Sequence, residues 1–74
     1  MDEKELKIHF EIYTICWKLF KKYASPESTV EYWQALTTEA EAIYKKYGST
    51  KFVYDILRAT MDELQRLEKD GKEN

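Results

Sequence analysis

The chain has 74 residues and a net charge of −2, so it is long enough for one domain, near the lower size limit for a single core. Its charge argues against the strongly basic surface that nucleic-acid-binding proteins use. No run approaches the roughly 18 apolar residues that a membrane span needs. Aromatic residues make up 15% of the chain, and they supply the large apolar side chains that so small a core requires.

The first residues are Met-Asp-Glu-Lys-Glu, which lack the basic and then apolar pattern of a signal peptide. Cys16 is the only cysteine, so no disulfide can form within the chain. From these features we expect a soluble, cytoplasmic protein.

Two short breaks, at residues 25–28 and 48–50, divide the chain into three amphipathic segments of nearly equal length. The first segment predicts a helix over residues 3–23, with Asp2 and Glu5 forming a start that resembles a capping box. At about 100° per residue, its apolar side chains cover more than half of the helix circumference. A helix that packs on only one side does not require so wide an apolar face.

The second segment predicts a helix over residues 26–47, and two starts are open. Ser25 can be the N-cap with Pro26 at the first helical position, or Ser28 can begin a capping box. Gly48 stands where a left-handed residue would end the helix.

The third segment predicts a helix over residues 50–69, in which apolar residues recur at steps of three and four. Gly71 is expected to stop this helix, so that residues 70–74 form a frayed tail. Helices of about 20 residues joined by short linkers pack as antiparallel neighbours. The predicted fold class is therefore all-α, a three-helix up-down-up antiparallel bundle over residues 1–74. The alternative is a helical hairpin whose third helix packs across a partner chain.

Residues with catalytic chemistry are few. His9 and Cys16 both fall within the apolar face of the first helix, but two turns separate them by about 10 Å. A Cys–His nucleophile pair needs hydrogen-bond contact and an orienting third group. We therefore predict that the chain is not an enzyme and has no catalytic residue, cofactor or metal. Cys16 is expected to be a buried thiol and His9 a residue at the edge of the core.

Two groups of lysines give the best basic patches. Their members are Lys18, Lys21 and Lys22 in the first group and Lys45, Lys46 and Lys51 in the second. Such lysines could contact phosphates in a small nucleic-acid-associated regulator, which is the alternative function. Lysines at the ends of helices also complement the helix dipole, and acids elsewhere in the chain weaken any continuous positive field. Nucleic acid is accordingly an unlikely partner.

The surplus of aromatic side chains is the feature of the sequence that most favours a particular function, the binding of protein. Trp and Tyr dominate the energetics of protein interfaces, and so many rings cannot all fit inside so small a bundle. We predict a protein-interaction module that self-associates or docks on a protein partner through an apolar and aromatic face. The candidate interface residues are Phe10, Tyr13, Trp17, Tyr32, Trp33 and Tyr54. Tyr32 and Tyr54 are placed towards the exposed margins of their helices.

Three stretches of sequence suggest a relationship. They are Trp17-Lys18-Leu19-Phe20-Lys21-Lys22-Tyr23, then Glu31-Tyr32-Trp33, and then Tyr47-Gly48 with Phe52. In these stretches the chain resembles small uncharacterised helical proteins of Gram-positive bacterial phages and mobile elements. The resemblance implies a cytoplasmic protein of a bacterium or its phage, and it implies no catalytic or binding residues.

Overall fold

The computed structural model describes residues 1–73, with side chains described as far as residue 71. It contains three helices, α1 (Glu3–Lys22), α2 (Val30–Lys46) and α3 (Lys51–Glu73), and each helix contacts the other two. The prediction of an all-α, three-helix fold is confirmed. The helices form a rod of 46 × 20 × 18 Å.

Asp2 caps the start of α1 as its sequence predicts. Its side chain accepts a hydrogen bond from the backbone N–H of Glu5 at 2.8 Å, which satisfies one of the amides that the first turn leaves free. At the other end, the backbone N–H of Tyr23 donates to the carbonyl oxygen of Leu19. The helix therefore ends at Lys22, one residue before the predicted end.

Both predicted starts of α2 are wrong. The N-cap is Thr29, whose side-chain oxygen accepts a hydrogen bond from the backbone N–H of Tyr32 at 3.2 Å. Residues 24–29 are irregular, and the hydroxyl of Ser28 donates instead to the carboxylate of Glu68 on α3. Ser28 is thus engaged by another helix and does not cap its own.

The turn between α2 and α3 depends on Gly48. Gly48 has φ +85° and is followed by Ser49 at φ +55°. The N–H of Ser49 donates to the carbonyl oxygen of Tyr44, and the N–H of Gly48 donates to that of Lys45. These two bonds define a Schellman motif, so the predicted left-handed end at Gly48 is confirmed.

Replacing the two glycines by alanine is expected to change stability in opposite directions. Gly48→Ala should lower the free energy of unfolding by about 1–2 kcal/mol, because a left-handed backbone is strained in any residue with a Cβ. A Cβ built on Gly48 approaches no atom closer than 4.0 Å, so this cost comes from the backbone alone. Gly71→Ala lies in a helix, where a Cβ meets nothing within 4 Å, and should raise stability by up to about 1 kcal/mol.

Urea denaturation followed by circular dichroism would measure both changes. Equal effects of the two substitutions would contradict the assignment of different backbone roles to the two glycines.

The prediction that α3 stops before Gly71 is wrong, because the helix continues to Glu73. Ion pairs along its exposed face support the last turns. The guanidinium of Arg66 bonds the carboxylates of Glu63 at 2.6 Å and Asp70 at 2.5 Å, spacings that stabilise helices. Of the predicted frayed tail 70–74, residues 70–73 are therefore helical, and Asn74 lies outside the described residues.

Among the described residues, the core is a single cluster built from all three helices. Three of its side chains, Leu36, Val53 and Leu64, are completely shielded from solvent, and each contributes about 1.5–3 kcal/mol through its burial. The remaining members are Ile12, Cys16, Leu19, Tyr23, Tyr32, Ala40, Ile43 and Leu57. The core therefore uses only one side of α1, because Leu6, Phe10, Tyr13 and Trp17 are exposed.

Candidate interaction surface

Helix α1 carries two apolar stripes that point in different directions. The first contains Ile12, Cys16 and Leu19, which are buried in the core. The second lies about 120° further around the helix, at about 100° per residue. We call this second stripe the outer face, and it consists of Leu6, Phe10, Tyr13 and Trp17, all of which are exposed.

Two half-buried rings support the outer face from the side of the bundle. Tyr13 meets Phe52 of α3 edge to face, with ring centroids 5.7 Å apart. Trp17 stacks on Phe20, with centroids 6.0 Å apart and planes inclined by 19°. These arrangements are the ones that aromatic pairs prefer. Tyr13 and Trp17 are therefore supported by the bundle, and they connect the outer face to the core through Phe52 and Phe20.

The size of the outer face is comparable to that of functional surface patches. Phe10 is 70% exposed, and Tyr13 and Trp17 are each 59% exposed. With roughly 200 Å² for a fully exposed ring, these three side chains present about 400 Å² of surface, mostly apolar, to solvent. Patches of about 300–600 Å² are the largest on typical monomers and often serve a function. Leu6 extends the patch towards the start of α1.

The expectation that Tyr32 lies at an exposed margin is wrong. Tyr32 is only 9% exposed, and its hydroxyl donates a hydrogen bond to the carbonyl oxygen of Tyr23 at 2.6 Å. Its ring packs edge to face against Tyr23 and Trp33, with centroids 5.3 and 4.7 Å away. Tyr32 is therefore a core residue that ties the start of α2 to the end of α1.

Trp33 and Tyr54 do not join the outer face. Trp33 is half-buried against Tyr32. Tyr54 is 49% exposed, and its ring packs on Tyr44 of α2 with centroids 6.2 Å apart. Of the six predicted interface residues, Phe10, Tyr13 and Trp17 are thus the ones that the fold brings together.

Leu6 belongs to this surface although it is not among the six predicted interface residues. The signal that could have found it is the spacing of four, three and four residues from Leu6 to Trp17. This spacing repeats the apolar seam of a coiled coil. The core stripe uses other positions on the same helix, so the two patterns overlap in sequence and separate only in space.

The two predicted lysine patches contain acids as well. Lys22 forms an ion pair with Glu39 at 2.9 Å, and Lys51 forms one with Asp55 at 2.6 Å. Lys46 lies over the ring of Tyr47, 5.6 Å from its centroid. Lys18, Lys22 and Lys46 line one groove between α1 and α2 together with Glu39, so a carboxylate lies among the three ammonium groups.

Glu39 also links α1 and α2 through Tyr23. The phenol hydroxyl of Tyr23 donates a hydrogen bond to this carboxylate, which, together with burial, raises the pKa of Tyr23 to about 12. The same hydrogen bond and that of Lys22 lower the pKa of Glu39. The bond stabilises the fold while the phenol stays protonated.

Tyr23→Phe is expected to weaken the dependence of stability on alkaline pH. The raised pKa of Tyr23 gives a contribution that is complete below the ordinary value of 10 and is lost as the pH rises towards about 12. At pH 8 the free energy of unfolding of the variant should be only about 1 kcal/mol lower than that of the parent protein. The loss is small because the side chain of Glu39 is 38% exposed and solvent weakens the hydrogen bond. When the pH is raised from 8 to 11, the free energy of unfolding should fall less in the variant than in the parent protein, because the variant has no phenol at this position to deprotonate.

Urea denaturation at the two pH values would measure this difference. A variant whose stability falls as steeply as that of the parent would contradict the assigned hydrogen bond.

His9 and Cys16 occupy the positions expected of structural residues. His9 is partly exposed at the edge of the core, where its ring lies 5.0 Å from that of Phe52. Its Nδ1 lies 2.7 Å from the carbonyl oxygen of Glu5. Cys16 is buried, and burial raises the pKa of its thiol, which makes it a weaker nucleophile at neutral pH.

Within residues 1–71, no three His, Cys, Asp or Glu side chains converge on a position that could hold a metal ion. No helix in the described part of the chain combines the length and apolar character that a membrane crossing requires. In comparisons with protein-family models, curated proteins and solved structures, nothing matches this chain.

Proposed function

We propose that this protein is a non-enzymatic interaction module that binds protein through the outer face of α1. The observation that supports the proposal is the second apolar stripe, which the three helices leave exposed although it is as regular as the buried one. Exposing three large rings to water is unfavourable, and a docked protein surface would remove that cost.

The chemistry of the outer face also supports protein rather than a small ligand as its occupant. The stripe runs along one convex helix, whereas small molecules bind in concave pockets. Tyr13 and Trp17 are of the residue types that contribute most to protein interfaces. Their contacts with Phe52 and Phe20 reduce the side-chain freedom that binding would remove.

The proposal includes an up-down-up order of the helices, which leaves the outer face on the outside of the bundle. Three ring contacts support this order. The end of α1 meets the start of α2 at Tyr23 and Tyr32, and the end of α2 meets the start of α3 at Tyr44 and Tyr54. The start of α3 meets the first half of α1, where Phe52 packs on His9.

We place this activity in the bacterial cytoplasm, in a protein encoded by a bacterium or by its phage. The resemblance of residues 17–23, 31–33, 47–48 and 52 to small helical proteins of Gram-positive phages and mobile elements supports this location. The buried, unpaired thiol of Cys16 suits a reducing compartment, where it would stay reduced.

Site-specific photocrosslinking would test the proposal. A photoreactive phenylalanine analogue is placed at Phe10 on the outer face, in cells that produce the protein, and covalent adducts are separated by mass. The matched control carries the same analogue at Val30, which is 67% exposed at the start of α2.

We expect discrete protein adducts from position 10 and few from position 30. An adduct of twice the chain mass would identify a second copy, and a heavier one would identify another protein. Equal labelling at both positions, or none at position 10, would mean that the outer face is not a docking surface.

A further inference from the structure

We infer that the occupant of the outer face is a second copy of this chain, paired through α1 in antiparallel orientation. This inference rests on the proposed function and names its partner. It is carried by the spacing of the four outer-face residues, by the distribution of charge along α1 and by the area of the patch.

The outer face is complementary to itself when two α1 helices run in opposite directions. Leu6 and Trp17 lie at equal distances from the midpoint of the stripe, and so do Phe10 and Tyr13. An antiparallel pair related by a two-fold axis at this midpoint places Leu6 level with Trp17 of the second copy. It also places Phe10 level with Tyr13 of the second copy. Each layer then combines two different apolar side chains, and all four contribute to the seam.

The size of these side chains suits such layers. In one pair the smallest member, Leu6, faces the largest, Trp17. In the other pair two single rings of similar volume face each other. Alternation of large and small side chains across facing positions is what allows helices to interdigitate. A parallel pair would instead place Trp17 against Trp17 and Leu6 against Leu6 of the second copy.

Charge along α1 favours the same orientation. Two of the three acids of α1, Glu3 and Glu5, lie in its first turn on either side of Lys4, whereas its last turn carries Lys21 and Lys22. Glu3 and Lys21 are separated by about five helical turns and so lie on the same line of the helix, beside the outer face. Antiparallel pairing brings Glu3 close to Lys21 of the second copy and opposes the two helix dipoles, whereas parallel pairing would bring like charges together.

The area of the patch places this dimer among the weaker specific complexes. The three rings expose about 400 Å² on each chain, so two copies would bury about 800 Å² from them alone. Leu6 and the alkyl stems of the flanking lysines bring the total towards the roughly 1,200 Å² of a small specific interface. Interfaces at this lower end of the size range are typical of weak, transient complexes, so we expect a dissociation constant in the micromolar range.

Single-cysteine crosslinking on the purified protein would test the orientation. Cys16→Ala removes the native thiol, and on that background two variants are made, one with Glu3→Cys and one with Lys21→Cys. A bismaleimide with a reach of about 10 Å is added to each variant alone and to a mixture of the two. In the antiparallel dimer, position 3 of one copy lies close to position 21 of the other, whereas two copies of position 3 are about 27 Å apart, beyond this reach. Light scattering across a concentration series gives the mass of the unmodified protein in parallel.

We expect the mass of the unmodified protein to rise with concentration from 8.9 kDa towards twice that value. We also expect covalent dimers to form at least tenfold faster in the mixture of the two variants than in either variant alone. Faster crosslinking between two copies of the same variant than between the two different variants would establish a parallel pair and overturn the inference. A protein that stays monomeric would also overturn it. Heavier photoadducts at Phe10 would in that case leave the proposed function standing, whereas their absence would remove both.

Discussion

Tyr32→Ala is expected to lower the free energy of unfolding by about 3–5 kcal/mol, the cost of removing a large buried ring. The ring is 9% exposed and contacts two other rings, those of Tyr23 and Trp33. Domains of this kind are stable by only about 5–15 kcal/mol in total, so the loss would be a large fraction of the stability of the fold. Urea denaturation followed by circular dichroism would measure the loss.

Two further variants separate the causes of this loss. Tyr32→Phe keeps the ring and removes only the hydrogen bond to the carbonyl oxygen of Tyr23, so it should cost about 1 kcal/mol. Tyr54→Ala removes a ring that is 49% exposed and should cost clearly less than Tyr32→Ala. If Tyr32→Ala keeps its full stability, the placement of this ring in the core is wrong.

The number and class of the helices could be predicted because local signals dominate them. Asp2 caps α1 with its own side chain, and Gly48 adopts the left-handed conformation that few other residues tolerate. Each of these signals acts within a few residues of the chain. An apolar stripe of three- and four-residue steps then requires other helices to cover it.

The start of α2 could not be predicted because three hydroxyl residues compete for the cap. Ser25, Ser28 and Thr29 all belong to residue types that favour this position. The structure uses Thr29, while Ser28 bonds Glu68, forty residues further along the chain. That contact depends on how α3 packs, which no local pattern contains.

The exposed apolar face of α1 could be predicted only in part, because it too depends on how the helices pack. The width of the apolar arc on α1 indicated that some of it would remain exposed, and Phe10, Tyr13 and Trp17 are exposed. Which aromatic residues of α2 and α3 reach the surface depends on the packing of the bundle. Tyr32 lies at the margin of the apolar stripe of α2, and this position predicted exposure. In the fold its ring packs on that of Tyr23, and the carbonyl oxygen of Tyr23 accepts the hydrogen bond of its hydroxyl inside the core.

Trp17→Ala is expected to weaken association strongly and to leave the fold nearly intact. Trp is among the residue types that most often contribute about 2 kcal/mol or more at protein interfaces. In a symmetric dimer the change is present twice, so the total of about 4 kcal/mol corresponds to a dissociation constant raised about a thousandfold. The free energy of unfolding should fall by only about 1 kcal/mol, because Trp17 is 59% exposed and its main support is the stacked ring of Phe20.

Light scattering would measure association, and urea denaturation at concentrations well below the dissociation constant would measure the stability of the monomer separately. Val30→Ala is the matched control, because Val30 is 67% exposed but lies at the start of α2, away from the outer face. It should change neither association nor stability by more than about 0.5 kcal/mol. If both variants associate like the parent protein, the seam does not include Trp17, and the exposed stripe on α1 would then need another explanation. If Trp17→Ala unfolds instead, its ring contributes to the core through Phe20, and the division of α1 into a buried and an outer stripe is wrong.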